Sequence, residues 1–167
     1  MTPSAARHRL RLTGLLPLLP VLAACSSVPL GPGRGAPGAS TAAPPSLAAE
    51  QRRLADLFRG TPVVFTLLPH GALSTEVPLG HCFDRGAVVV RRPLQAVLDR
   101  LAASAAVRAA ASVETLAPSD AGRPNPALAT ERAAAVRDYL VAGGLMLVRF
   151  KPPRATTTEV VQVIVTP

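Results

Sequence analysis

The stretch NPALATERAAAVRDYL, Asn125 to Leu140, constrains the fold more than any other. Asn125 can cap a helix and Pro126 suits its first position. At about 100° per residue, Thr130, Glu131, Arg137 and Asp138 share one polar arc. Leu128, Ala129, Ala133, Ala135, Val136, Tyr139 and Leu140 share the other. Arg132 falls about 40° from Leu128, inside the apolar arc and one turn into the helix. Burying an unpaired guanidinium costs several kcal/mol. The layer packed on this helix must therefore let Arg132 snorkel to water, pair it with an internal acid, or leave room for an anionic ligand. Free backbone N–H groups near the helix N-terminus favour a carboxylate ligand.

The remaining pattern supplies that layer. Residues 63–68 (VVFTLL) and 73–79 (LSTEVPL) are β-rich runs around Pro69-His70-Gly71-Ala72, which reads as a hairpin with a solvated His70 at its tip. Pro78 marks an edge or a break in the second run. After Arg91-Arg92, Pro93 opens a helix in which Leu94, Val97, Leu98 and Leu101 recur at the spacing of one buried face. Ser112–Leu116 is a predicted strand, and Ala117–Pro124 (APSDAGRP) a loop in which Asp120 is a natural turn residue. The helix from Asn125 ends at Gly143-Gly144. Residues 145–150 (LMLVRF) read as a strand, Lys151–Thr158 holds a Pro-Pro turn, and 160–165 (VVQVIV) reads as the last strand. There is no internal repeat. The order β-β-α-β-α-β-β predicts an α+β, two-layer sandwich with helices packed on one face of a mixed sheet. A short helix over 46–60, with Leu47, Leu54, Leu57 and Phe58 on or near one side and Gly60 as its stop, precedes it.

Residues 1–24 have the outline of a secretory signal, with Arg7, Arg9 and Arg11 ahead of the apolar LTGLLPLLPVLAA. The run is short and broken by proline, a poor membrane span. It ends in Leu22-Ala23-Ala24-Cys25, which resembles the lipobox of bacterial lipoproteins and makes Cys25 the expected lipidation site. Several acyl chains, at about 0.8 kcal/mol per buried CH₂, anchor a protein stably where one does not. Ser26 following the cysteine implies, by the same resemblance, the outer membrane. Residues 25–45 then form the lipidated cysteine and a Pro/Gly/Ser/Ala-rich tether with a typical reach of roughly 25 Å. With Cys25 acylated, Cys82 has no intramolecular disulfide partner. His81 precedes it, but neighbouring strand residues point to opposite faces, so Cys82 reads as a small buried hydrophobe.

Composition narrows the functional classes. Hydrophobic residues make up 49% and aromatic residues only 3%, so the core rests on Ala, Val and Leu. The net charge of +8 comes from 18 Lys+Arg against 10 Asp+Glu; removing the three leader arginines leaves 15 against 10, or +5. The arginines are scattered and not interleaved with aromatics, which argues against a nucleic-acid partner. No nucleophile–base pair, metal cluster or carboxylate pair supports a hydrolase, and no cofactor is implied.

Asn125, Leu128, Arg132, Ala133, Val136 and Leu140 match the pattern N-x-x-L-S-x-x-R-A-x-x-V-x-x-x-L, with Ala129 in place of its serine. In this the chain resembles the OmpA-like (OmpA/MotB C-terminal) domain, over about residues 61–167. Phe83-Asp84 looks like that family's F-D element, and Val113-Glu114 falls where the family's strand before the loop ends. The resemblance implies noncovalent binding of peptidoglycan. Its ligand is diaminopimelate of the stem peptide, which carries a free ammonium and a free carboxylate on one carbon. Arg132 corresponds to the arginine that grips the carboxylate, with Asn125 and Leu128 beside it. The family aspartate that takes the ammonium has no direct match, and Asp120 substitutes for it only if the loop is rearranged. The family's arginine pair before the last strand is replaced by Thr158-Glu159-Val160. The implied role is an outer-membrane lipoprotein tethering the membrane to the cell wall. The altered loop also fits a degenerate interaction module, with an envelope protein partner in a secretion or motility assembly.

Overall fold

The computed structural model describes residues 45–167. The leader, Cys25 and the tether up to residue 44 lie outside the described residues.

The first helix, α1 (Leu47–Leu57), is capped by the Ser46 side chain, which accepts from the Ala49 N–H at 3.2 Å. Leu47 and Leu54 enter the main core, and Gln51 Nε2 donates to the Phe65 carbonyl at 2.8 Å, docking the helix on the first strand. Leu57, expected on the buried side, is half exposed. Leu57 is the last helical residue, and Gly60 follows with a left-handed φ of 83°.

Strands β1 (Val64–Leu67) and β2 (Leu73–Pro78) form the expected hairpin, with Phe65 opposite Thr75. His70 sits exposed at its tip with φ 61°. Pro78 acts as a break rather than an edge. It is the last residue of β2, an internal strand flanked by β1 and the final strand. Helix α2 (Arg92–Ala103) follows with Pro93 in its first turn, and Leu94, Val97, Leu98 and Leu101 are all buried. Ser104 ends α2 and caps α3 (Ala105–Ala109) through a bond from the Val107 N–H at 3.4 Å.

Strand β3 (Ser112–Pro118) runs two residues beyond its predicted end at Leu116, so Ala117 and Pro118 belong to the sheet and not to the loop. Helix α4 (Pro126–Ala142) has the expected bounds. The predicted strand over 145–150 is not one. Leu145 turns inward, Met146, Leu147 and Val148 are exposed, and Leu147–Arg149 is a 3₁₀ turn. Only a bridge from Phe150 to Val113 touches the sheet there. An unbroken apolar run carries no alternation to show whether it lies in a sheet, and Pro152-Pro153 lack the N–H groups to extend the ladder. The ladder resumes at β4 (Arg154–Thr156), parallel to β3, and the chain closes with β5 (Val160–Thr166).

The sheet order is β1-β2-β5-β3-β4, with one parallel pair. That pair needs a crossover, and α4 supplies it. Alternation along the strands puts Phe65, Leu73, Val77, Val113, Ala117, Val161, Val163 and Val165 on the buried face. The helices cover this face and leave the other to Glu76, Glu114 and Gln162. The result is the expected α+β sandwich with helices on a mixed sheet, and it places the start of α4 beside the ends of β2, β3 and β4.

Candidate functional site

Asn125 adopts an extended conformation and its side chain accepts from the Leu128 N–H at 3.1 Å, capping α4. Arg132, one turn in, is the largest fully buried side chain, with 0% of its surface exposed. It does not snorkel. Its Nε donates to the Ala87 carbonyl (2.9 Å) and Nη1 to the Pro118 carbonyl (3.1 Å). Nη2 donates to the Asp84 carbonyl (3.2 Å) and to Asp120 Oδ1 (2.6 Å). A guanidinium has five N–H donors, so these bonds leave a single N–H, on Nη1. The Phe83 ring lies 5.1 Å from the guanidinium carbon, adding a cation–π contact.

Asp120 completes the arrangement from the loop side. Its Oδ1 meets Arg132 and its Oδ2 accepts from the Gly86 N–H at 2.8 Å. One carboxylate thus ties the loop after β3 to the turn over residues 83–87. The hydrogen bond from Arg132 holds the Asp120 carboxyl below the usual carboxylate range. Against the opposing effect of desolvation, the Gly86 N–H and the charges of Arg132 and Arg85 act in the same direction. The sequence separation from Asp120 to Arg132 differs from the family pattern, yet the loop brings the two together. The Asp84 carboxylate stands apart, exposed and 3.4 Å from Arg91 Nε.

Asp120 also meets an open cavity of about 1030 Å³. Its walls are the turn after β2 with Phe83 and Arg85, the loop Pro118–Pro124 with Asn125 and Ala129, and the β4–β5 connection through Glu159. Arg132 lies beneath this surface and Leu128 is half buried outside the lining. Of the four residues singled out from sequence, Asp120 and Asn125 line the cavity, Arg132 holds Asp120 from beneath it, and Leu128 takes part only through the backbone N–H that Asn125 caps. Arg85, Arg123 and Glu159 also line it and had no signal of their own, since each is one exposed charge among many.

Glu114 and Cys82 have structural roles. Glu114 does not end its strand as expected from the resemblance. It sits within β3, bound to Lys151 (2.7 Å) and Arg154 (2.9 Å) on the open face of the sheet. Cys82 is fully buried against the Val77 and Pro78 carbonyls, and burial pushes its thiol up to about 12. Among the described residues, no helix is long and apolar enough to cross a membrane.

A scan of protein-family models finds no match, and a search of curated proteins finds no relative. Solved structures do match. A MotB-like protein from Desulfovibrio vulgaris superposes with a TM-score of 0.59 at 15% identity, covering 72% of this chain and 91% of that one. The cell wall anchor of the T6SS from Pseudomonas aeruginosa gives 0.55 at 22% identity, covering 74% and 98%. The periplasmic domain of Helicobacter pylori MotB gives 0.51 at 12% identity, covering 62% and 83%. At these identities the likeness concerns architecture alone: over the parts covered, the chain shares the OmpA-like fold of the MotB periplasmic domains.

Proposed function

We propose that this chain is a lipoprotein of the outer membrane, anchored through Cys25, whose periplasmic domain binds the peptidoglycan stem peptide noncovalently and cleaves nothing. The observation that carries this reading is an ionised carboxylate, Asp120, fixed by a fully buried guanidinium at the wall of a cavity of about 1030 Å³. Diaminopimelate carries an ammonium, and a carboxylate whose lone pairs face a cavity is the group to receive it. With two internal donors, one on each oxygen, Asp120 is orientated before the ligand arrives. Arg132 positions it. Asn125 shapes the cavity rim by capping α4 through the Leu128 N–H. The volume is at the upper end of the roughly 300–1,000 Å³ usual for ligand sites, enough for a peptide segment. The likeness to a cell wall anchor supports the same role.

One observation favours the rival reading of an envelope interaction module. Every bond that Arg132 makes is internal, so its charge serves the fold whether or not a ligand exists. Sedimentation with purified sacculi separates the two. Wild type is expected in the pellet and to be released by free diaminopimelate; Asp120→Asn, shown folded by circular dichroism, is expected in the supernatant. Folded wild type that stays in the supernatant overturns the proposal in favour of the interaction module.

A further inference from the structure

We infer that Arg85 and Arg123, and not Arg132, take the carboxylate of the ligand, so that the cavity reads a zwitterion with two rim guanidiniums around the Asp120 carboxylate. This assignment rests on the reading that the cavity holds diaminopimelate. A bidentate grip on a carboxylate takes two parallel N–H groups. Arg132 has one left, on Nη1, and none of its surface is exposed. A ligand anion must find its cation elsewhere.

Among the described residues, the cations lining the cavity are Arg85 and Arg123. Both are exposed, and neither side chain has an ion pair or hydrogen bond there. Both are also held close to Asp120 through the backbone. Arg85 precedes Gly86, whose N–H donates to Asp120 Oδ2 at 2.8 Å. Arg123 closes the Asp120 turn, its N–H donating to the Asp120 carbonyl at 3.2 Å. The charge of Arg85 reaches the Asp120 carboxylate. With Arg132 beneath the lining, Arg85, Arg123 and Arg132 outnumber the carboxylates of Asp120 and Glu159, and the cavity carries net positive charge. That balance favours a ligand with more carboxylate than ammonium, as a stem peptide has.

The assignment predicts discrimination. Nα-acetyl-lysinamide keeps the side-chain ammonium and, with its α-groups blocked, has no carboxylate. The test titrates the folded protein with diaminopimelate and with Nα-acetyl-lysinamide, following amide resonances around residues 119–125, in wild type, the double variant Arg85→Gln/Arg123→Gln and Asp120→Asn. The rim variant is expected to bind diaminopimelate about tenfold or more weakly, the scale of losing hydrogen bonds to a charged group, while its binding of the carboxylate-free amine is unchanged. Asp120→Asn is expected to weaken both. Diaminopimelate binding by the rim variant at wild-type strength overturns the assignment alone. Wild type that binds neither diaminopimelate nor sacculi overturns the function proposed above and this assignment with it.

Discussion

Replacing Arg132 by Met keeps an unbranched side chain in the stripe and removes only the charge and its donors. Four acceptors then lose a partner: Asp120 Oδ1 and the carbonyls of Asp84, Ala87 and Pro118. Removing one member of a buried ion pair typically costs about 3–5 kcal/mol. Each orphaned buried carbonyl adds up to about 1–3 kcal/mol where water cannot reach it. With total stabilities of about 5–15 kcal/mol, Arg132→Met should lose at least about 3 kcal/mol in urea unfolding followed by circular dichroism, and the folded state becomes marginal. An internal control is Arg59→Ala. Its partner is Asp56 and both side chains are mostly exposed (80% and 70%), so its loss should stay below about 1 kcal/mol. Adding Asp120→Asn to Arg132→Met should restore part of the loss, because the uncompensated anion is gone. A change below about 1 kcal/mol for Arg132→Met, at an unchanged denaturant slope, refutes the claim that this guanidinium is a structural cation.

Three further outcomes follow from individual side chains. Asp120 titrates below the usual carboxylate value of about 3.9, so its stabilisation is complete above that value and is lost as pH falls through its lower folded value; the stability gap between wild type and Asp120→Asn should hold from pH 7 to about 5 and close below about 4, and a gap independent of pH contradicts the ion-pair assignment. The hydroxyls of Thr75 and Thr115, paired across β5 with Val163, are buried without a hydrogen-bond partner among the described residues, so Thr75→Val or Thr115→Val should raise the melting temperature, by the equivalent of about 1 kcal/mol, and a clear drop counts against that placement. Cys82, buried and with its thiol pushed up to about 12, should resist a thiol-specific chromophoric reagent in the native protein and react only at the rate of unfolding; fast native labelling refutes its placement.

Period and punctuation made much of the fold legible before any coordinates. The apolar spacing of Leu94, Val97, Leu98 and Leu101, the Asn125-Pro126 start of α4 and the β-branched VVQVIV run are local signals, and each governs a local outcome. Where an apolar run lacked alternation, as at residues 145–150, pattern could not separate strand from turn, and the Pro-Pro pair moved the ladder to β4. Arg132 announced itself by standing in an apolar arc, which required a partner without naming one.

The partner was a tertiary decision. Three of the acceptors of Arg132 are backbone carbonyls, two of them 45 and 48 residues away, and every residue type carries a carbonyl, so no sequence pattern marks them. Asp120 lay off the family spacing, and only the fold of its loop brought it to 2.6 Å from the guanidinium. Arg85 and Arg123 are two of many scattered arginines until the turns after β2 and β3 bring them to the lining of the cavity that holds Asp120. Local sequence set which segments bury which faces, because periodicity acts over a few residues. Which charges meet was left to the packing of distant turns, because electrostatic complementarity depends on distance in space and not along the chain.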